Sequence, residues 1–154
     1  KDATHINSMT LGAFTGYFRE RQSLKNITHP YDEYKAHVVL GVIYDMVPDI
    51  DERKNYTLDQ LGEIVSVIKN FQFFVQEKWQ IAIDRPGSGN TKNIGSVSKI
   101  EDLVNGNGTF AELGEDVFND YWMYYLTADM AKKAELPKPY YSNLTEYKHF
   151  KHMD

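Results

Sequence analysis

Tyr56-Thr57-Leu58-Asp59-Gln60-Leu61-Gly62-Glu63-Ile64-Val65-Ser66-Val67-Ile68-Lys69-Asn70-Phe71 is the stretch on which the reading of this chain turns. Thr57 and Gln60 stand at capping-box spacing. Leu58, Leu61, Ile64, Val65, Ile68 and Phe71 then recur with a helical period, so the pattern predicts a helix from Thr57 to Phe71. Toward the N-terminus, Pro30 suits a first helical turn, with Asp32 and Glu33 where the helix dipole favours acids. Val38, Val39, Val42, Ile43 and Met46 give that second helix an apolar face, which Pro48 ends. A further helix is predicted from Thr10 to Gln22, through Leu11, Phe14 and Phe18, with Gly12 and Gly16 four apart as points of close approach or of simple tolerance.

Toward the C-terminus, Phe71, Phe73 and Val75 alternate, as do Trp79, Ile81 and Ile83, which suits a short β-hairpin near 71–84. A continued helix through the same residues is the open alternative. Residues 85–97, with Pro86, Gly87, Gly89 and Gly95, read as a flexible connection. Ser98 and Glu101 open a short helix to Val104. Thr109 and Glu112 open the longest one, about 110–135, stopped by Pro137 and Pro139. A short helix is expected around Leu144 to Phe150. The expected fold is mainly α: a small helical bundle over 1–136, with an extended C-terminal arm over 137–154.

The 154 residues fit one domain. A net charge of −5 weighs against a dedicated nucleic-acid binder, which carries a basic surface. Without cysteine there are no disulfides, thiolate nucleophiles or Cys-ligated metals. No apolar run approaches the length of a membrane span, so no membrane partner is expected and the chain reads as soluble. A start at Lys1 without Met leaves N-terminal processing open. Sequons at Asn26, Asn55, Asn107 and Asn143 read mainly as turn and cap chemistry.

Several clusters invite a chemical reading. His29, Asp32, Glu33 and His37 have metal-like side chains, and Glu33 and His37 would share a helix face. Their order does not match Glu-x-x-His, and the plainer reading is an acid-capped helix start, so no metal is assigned. Asp45, Asp49, Asp51 and Glu52 lack the spacing and central glycine of a calcium loop and read as a solvated patch. Gly87-Ser88-Gly89-Asn90-Thr91-Lys92 lacks phosphate-loop spacing and reads as a connection. No nucleophile elbow or acid–base pair is singled out, so no catalytic residue, cofactor or small-molecule substrate is expected.

Charge is unevenly placed. Glu101 to Asp129 holds seven acids and no Lys or Arg, whereas Lys132 to Lys151 holds five Lys and two Glu. A basic aromatic arm reaches either a partner or its own acidic helix. On the first reading Tyr140, Tyr141, Tyr147 and Phe150 are anchors, and Lys148 and Lys151 steer.

Met9-Thr10-Leu11-Gly12-Ala13-Phe14, the helix after it, and Tyr56-Thr57-Leu58-Asp59-Gln60-Leu61-Gly62 resemble small helical structural or assembly proteins of tailed bacteriophages, over residues 8–75. The resemblance implies a non-enzymatic protein–protein role in a virion or tail-assembly line, with self-association or a protein partner, and an intracellular or virion-associated location. It implies no catalytic residues. Two alternatives stand beside it: a helical metal-binding protein or enzyme using the His29–His37 cluster, and a nucleic-acid-associated factor using the Lys-rich arm.

Overall fold

The computed structural model describes residues 4–20, 33–51, 53–87 and 92–153. Its architecture is mixed α/β, with 34% helix and 26% strand in antiparallel sheets. Strand β1 (Thr10–Ala13) is followed by a π-helical segment, Thr15–Glu20. Strands β2 (Val38–Met46) and β3 (Ile68–Glu77) flank a 3-10 segment, Leu58–Glu63. Then come α1 (Lys78–Ile81), β4 (Ala82–Pro86), β5 (Asn93–Ser96), α2 (Ile100–Asn105), α3 (Glu115–Tyr124), α4 (Ala128–Lys133) and α5 (Leu144–Phe150). β1, β5 and β4 form one antiparallel sheet in that order, and β2 and β3 form another.

The expectation of a mainly α bundle is therefore corrected, and the deciding stretch shows why. The Thr57–Gln60 link exists: the Gln60 side chain accepts from the Thr57 backbone N–H at 3.2 Å. It opens only the six residues Leu58–Glu63. Ile64, Val65, Val67 and Ile68 follow, and β-branched side chains lose rotamer freedom in a helix and pack well on a pleated surface. The chain accordingly turns and extends as β3. The helix expected over Val38–Met46 is β2, for the same reason: Val, Ile and Tyr dominate it. Of the helix expected from Thr10, the first four residues are a strand, and Gly12 has φ 105°, a left-handed value that glycine tolerates. Residues 21–32, including His29 and Asp32, lie outside the described residues.

β2 and β3 pair in register from Val38↔Glu77 to Ile43↔Gln72. Their inner face points Val39, Ile43 and buried Phe74 toward the core. Gly41 lies opposite Phe74, and a Cβ there would stand 1.9 Å from the ring, so the glycine is what admits the ring. The outer face carries Val38, Leu40, Val42, Tyr44, Met46, Phe71, Phe73 and Val75, all 46–69% exposed.

The core is aromatic. Tyr121 and Trp122 from α3 are fully buried, with Phe14, Phe110 and Phe118 around them. Ring centroids lie 5.1 Å apart for Phe14–Trp122 and 5.2 Å for Phe110–Tyr121. Such tilted and edge-on arrangements let the positive edge of one ring meet the negative face of another. The helix expected over 110–135 is two helices. Thr127, whose hydroxyl accepts from the Met130 N–H at 3.3 Å, opens the second.

Candidate functional site

The residues singled out in 137–154 are divided by the structure. Tyr141 and Tyr147 are buried in the chain's own core, each 5.0–5.2 Å from the ring of Tyr121. The Tyr141 hydroxyl donates to the Tyr121 carbonyl at 2.7 Å, and the Tyr147 hydroxyl donates to Asp120 at 2.5 Å. Lys151 also reaches Asp120, at 2.8 Å, so one carboxylate of the acidic helix α3 holds both. The N-terminus of α5 is held by Asp84 of β4, which accepts from the Leu144 N–H at 2.8 Å. Tyr140 and Phe150 stack at the surface with Lys148 half-buried nearby in α5. Burial pushes the Tyr121 and Tyr141 phenols well above their usual range, and burial with the Asp120 hydrogen bond does the same for Tyr147.

Among the described residues no group of three or more His, Cys, Asp and Glu is placed to hold a metal ion. Glu33 is exposed, and the His37 ring lies edge-on to Tyr34 at 5.3 Å. The acidic residues Asp45, Asp49 and Asp51 are also exposed, with Asp45 accepting from Asn70 at 2.8 Å. Within the described residues no helix is long and apolar enough to cross a membrane. Among the described residues Lys78 is the buried cation: burial draws the pKa of its ammonium down to about 8.

A polar cleft of about 540 Å³ lies between the N-terminal segment, the β4–β5 hairpin and the start of α2. It is built by backbone pairing. The Ile6 N–H donates to the Ser98 carbonyl at 2.9 Å and the Ile100 N–H to the Thr4 carbonyl at 2.9 Å, so residues 4–9 run along one wall. Ser8 and Ser96 fasten that wall to β5. The Ser8 hydroxyl donates to the Ser96 carbonyl at 2.7 Å, and the Met9 N–H donates to the Ser96 hydroxyl oxygen at 2.8 Å. Ile83, Pro86 and Val97 give the cleft its apolar lining. His5, Arg85, Ser98, Lys99 and Asp102 give it polarity. Lys99 pairs with Glu101 at 2.7 Å, which raises its pKa. Arg85 is exposed at the end of β4, and neither its guanidinium nor the Ser98 hydroxyl has a partner among the described residues. Reading 85–97 as a connection hid this, because β4 and β5 are short and Gly- and Pro-containing, a composition shared with loops.

Two comparisons bear on what such a chain does. The family model for restriction endonuclease EcoRV matches residues 1–152. The type II restriction enzyme EcoRV of Escherichia coli is 38% identical over 143 residues, 92% of this chain. The chain spans 55% of that relative's length. These matches overturn the resemblance to bacteriophage assembly proteins, whose quoted motifs were helix-start chemistry shared by many folds. They equally overturn the reading as a non-enzymatic virion or assembly component, since the matched family is one of nucleases. The expectation that nucleic acid is an unlikely partner and that no substrate is engaged is corrected too, since the matched relative is a restriction enzyme. Net charge is a weak guide there, because charge summed over a chain says little about one local surface.

Proposed function

The chain belongs to the restriction endonuclease EcoRV family, and from that membership we propose that it serves in a type II restriction enzyme, with duplex DNA as substrate and hydrolysis of a phosphodiester bond as the reaction. The observation that carries this is the 38% identity sustained over 143 residues, spread along 92% of the chain rather than confined to one motif. At that breadth the likeness includes elements whose sequence is ambiguous on its own, such as β2 and β3.

Hydrolysis of a phosphodiester commonly draws on divalent ions held by carboxylates, which stabilise the attacking and leaving oxygens. The described residues do not fit such an ion, since no suitable cluster is formed among them. The role these residues support is therefore DNA engagement. An acidic chain holds DNA through a local cationic surface, because affinity for the duplex comes largely from neutralising its phosphates.

The test is a titration of labelled duplexes of varied sequence with the 154-residue chain, run with and without magnesium, followed by gel analysis of the DNA. Binding that weakens steeply with salt, and that favours some sequences over others, supports the reading. Absence of binding to every duplex at low salt would contradict it.

A further inference from the structure

We infer that the cleft between residues 4–9, the β4–β5 hairpin and the start of α2 seats a backbone phosphate of bound DNA, with the Arg85 guanidinium and the Ser98 hydroxyl as its donors. This rests on the reading of the chain as a DNA-engaging member of its family, and it names where on the surface the backbone lies.

Charge balance comes first. Of the cations lining the cleft, Lys99 is balanced by Glu101, 2.7 Å away, whereas Arg85 has no carboxylate paired with it among the described residues. An unpaired guanidinium on an acidic protein is where an anion is drawn.

Donor availability comes next. Ser96 and Ser8 are spent on fastening β5 to the N-terminal segment, and the Ser96 hydroxyl also donates to the Val97 carbonyl at 2.9 Å. Lys99 is occupied by Glu101. Arg85 and Ser98 remain, both lining the cleft and with no partner among the described residues. A guanidinium offers two parallel N–H donors that match two phosphate oxygens, and a hydroxyl adds a third donor.

Size and rigidity agree. A volume of about 540 Å³ is ample for a phosphate with its flanking sugar. The walls are fixed by the backbone bonds of Ile6, Ser96 and Ile100, so the site is formed before a ligand arrives. Arg85 is the second-last residue of β4, and the chain from Gly87 to Asn93 connects that strand to β5. A phosphate held here would fix the hairpin's orientation on the duplex. Contacts of that kind set position and carry no sequence information of their own.

The experiment is fluorescence anisotropy of a labelled duplex against the full chain, at several salt concentrations, with Arg85→Ala, Arg85→Lys, Ser98→Ala and a Lys138→Ala control. Arg85→Ala is expected to weaken binding about tenfold, equally across duplex sequences, and to lower the salt slope by about one. Arg85→Lys should restore the slope while leaving affinity reduced, because the charge returns without the two-pronged geometry. Lys138→Ala should match the unsubstituted chain. Should Arg85→Ala bind with unchanged affinity and slope, the cleft assignment is overturned while the DNA reading stands. Weaker binding with an unchanged slope would equally overturn it, since that marks a structural effect. If the unsubstituted chain binds no duplex, both fall together. Should Arg85→Ala lose its fold by circular dichroism, Arg85→Lys and Ser98→Ala decide: both are expected to bind more weakly than the unsubstituted chain with the salt slope kept, and unchanged affinity in both would overturn the assignment.

Discussion

Replacing Tyr141 separates a C-terminal segment that is part of the core from one that is an appendage. Tyr141 is 1% exposed, packs 5.0 Å from the rings of both Tyr121 and Tyr147, and donates to the Tyr121 carbonyl at 2.7 Å. In Tyr141→Phe only that hydrogen bond goes. The Tyr121 carbonyl still accepts from the Tyr125 N–H at 3.0 Å, so no acceptor is orphaned and the cost is about 1 kcal/mol. Tyr141→Ala also removes the ring and leaves a cavity among Tyr121, Tyr125, Tyr147 and Phe150, a loss of roughly 3–5 kcal/mol. For a chain of this size each kcal/mol moves the melting midpoint by about 2–4 °C. The phenylalanine variant should thus melt a few degrees lower, and the alanine variant on the order of 10 °C lower. Urea unfolding followed by far-ultraviolet circular dichroism reads both, with the slope checking that the unfolded states match. A Tyr141→Ala midpoint equal to that of the unsubstituted chain would refute the placement of residues 137–154 against α3.

The same aromatic cluster predicts alkaline lability. Burial holds the phenols of Tyr121, Tyr141 and Tyr147 protonated beyond the pH, near 10, at which an unfolded tyrosine ionises, so their stabilisation is full below pH 10 and is lost as pH rises above it. Tyrosinate absorbance should then rise together with loss of circular dichroism; ionisation of all tyrosines in a still-folded chain would contradict this. Lys78 works in the opposite sense. Its folded value of about 8 lies below the unfolded 10.5, so its contribution makes stability climb between those pH values, and that climb should flatten in Lys78→Met. Gly108→Ala should destabilise by a few kcal/mol in the urea assay, because the new Cβ would lie 2.5 Å from the Gln80 carbonyl oxygen, a backbone atom that cannot step aside. Leu40→Thr, on the exposed outer face of β2, should change stability by less than about 1 kcal/mol, while Phe74→Ala on the inner face should cost roughly 3–5 kcal/mol. Equal effects at the two sites would reverse the facing assigned to the sheet.

Sequence was most legible where local chemistry decides the structure. The helix expected around Leu144 to Phe150 is α5, whose Asn143 side chain accepts from the Glu146 N–H at 2.9 Å. The short helix expected from Ser98 to Val104 is α2, within a residue or two at each end. Both are short, but only α5 starts on a side-chain cap: α2 has Lys99 at its N-cap with no side-chain cap bond, so the expected Ser98–Glu101 capping box is absent, and it ends at Gly106, φ 70°. Legibility failed where tertiary pairing decides. Val38, Val39, Val42, Ile43 and Met46 satisfy a helical period only because β2 places apolar residues on both faces, inner ones toward Phe74 and outer ones exposed. The signal available was composition: four β-branched residues among nine, a bias that favours a strand over a helix. Residues 71–84, open between hairpin and helix, contain both: β3 ends at Glu77, α1 makes one turn, and β4 leaves from it. The cleft was invisible for another reason. Arg85 fits no motif spacing and Ser98 reads only as a helix start, and both line one cleft only because β4 and β5 pair, with Ala82 opposite Ser96. Neither the family nor its substrate was legible in the motifs weighed, since a nuclease needs no signature of the phosphate-loop or metal-finger kind.

The most direct test of the central claim, that this acidic chain is built to engage duplex DNA, is its binding constant for a mixed set of duplexes measured against salt. The account predicts binding at low salt whose logarithm falls linearly with the logarithm of salt concentration, as phosphate neutralisation requires. A chain that is folded by circular dichroism and yet binds no duplex at any salt concentration would contradict it.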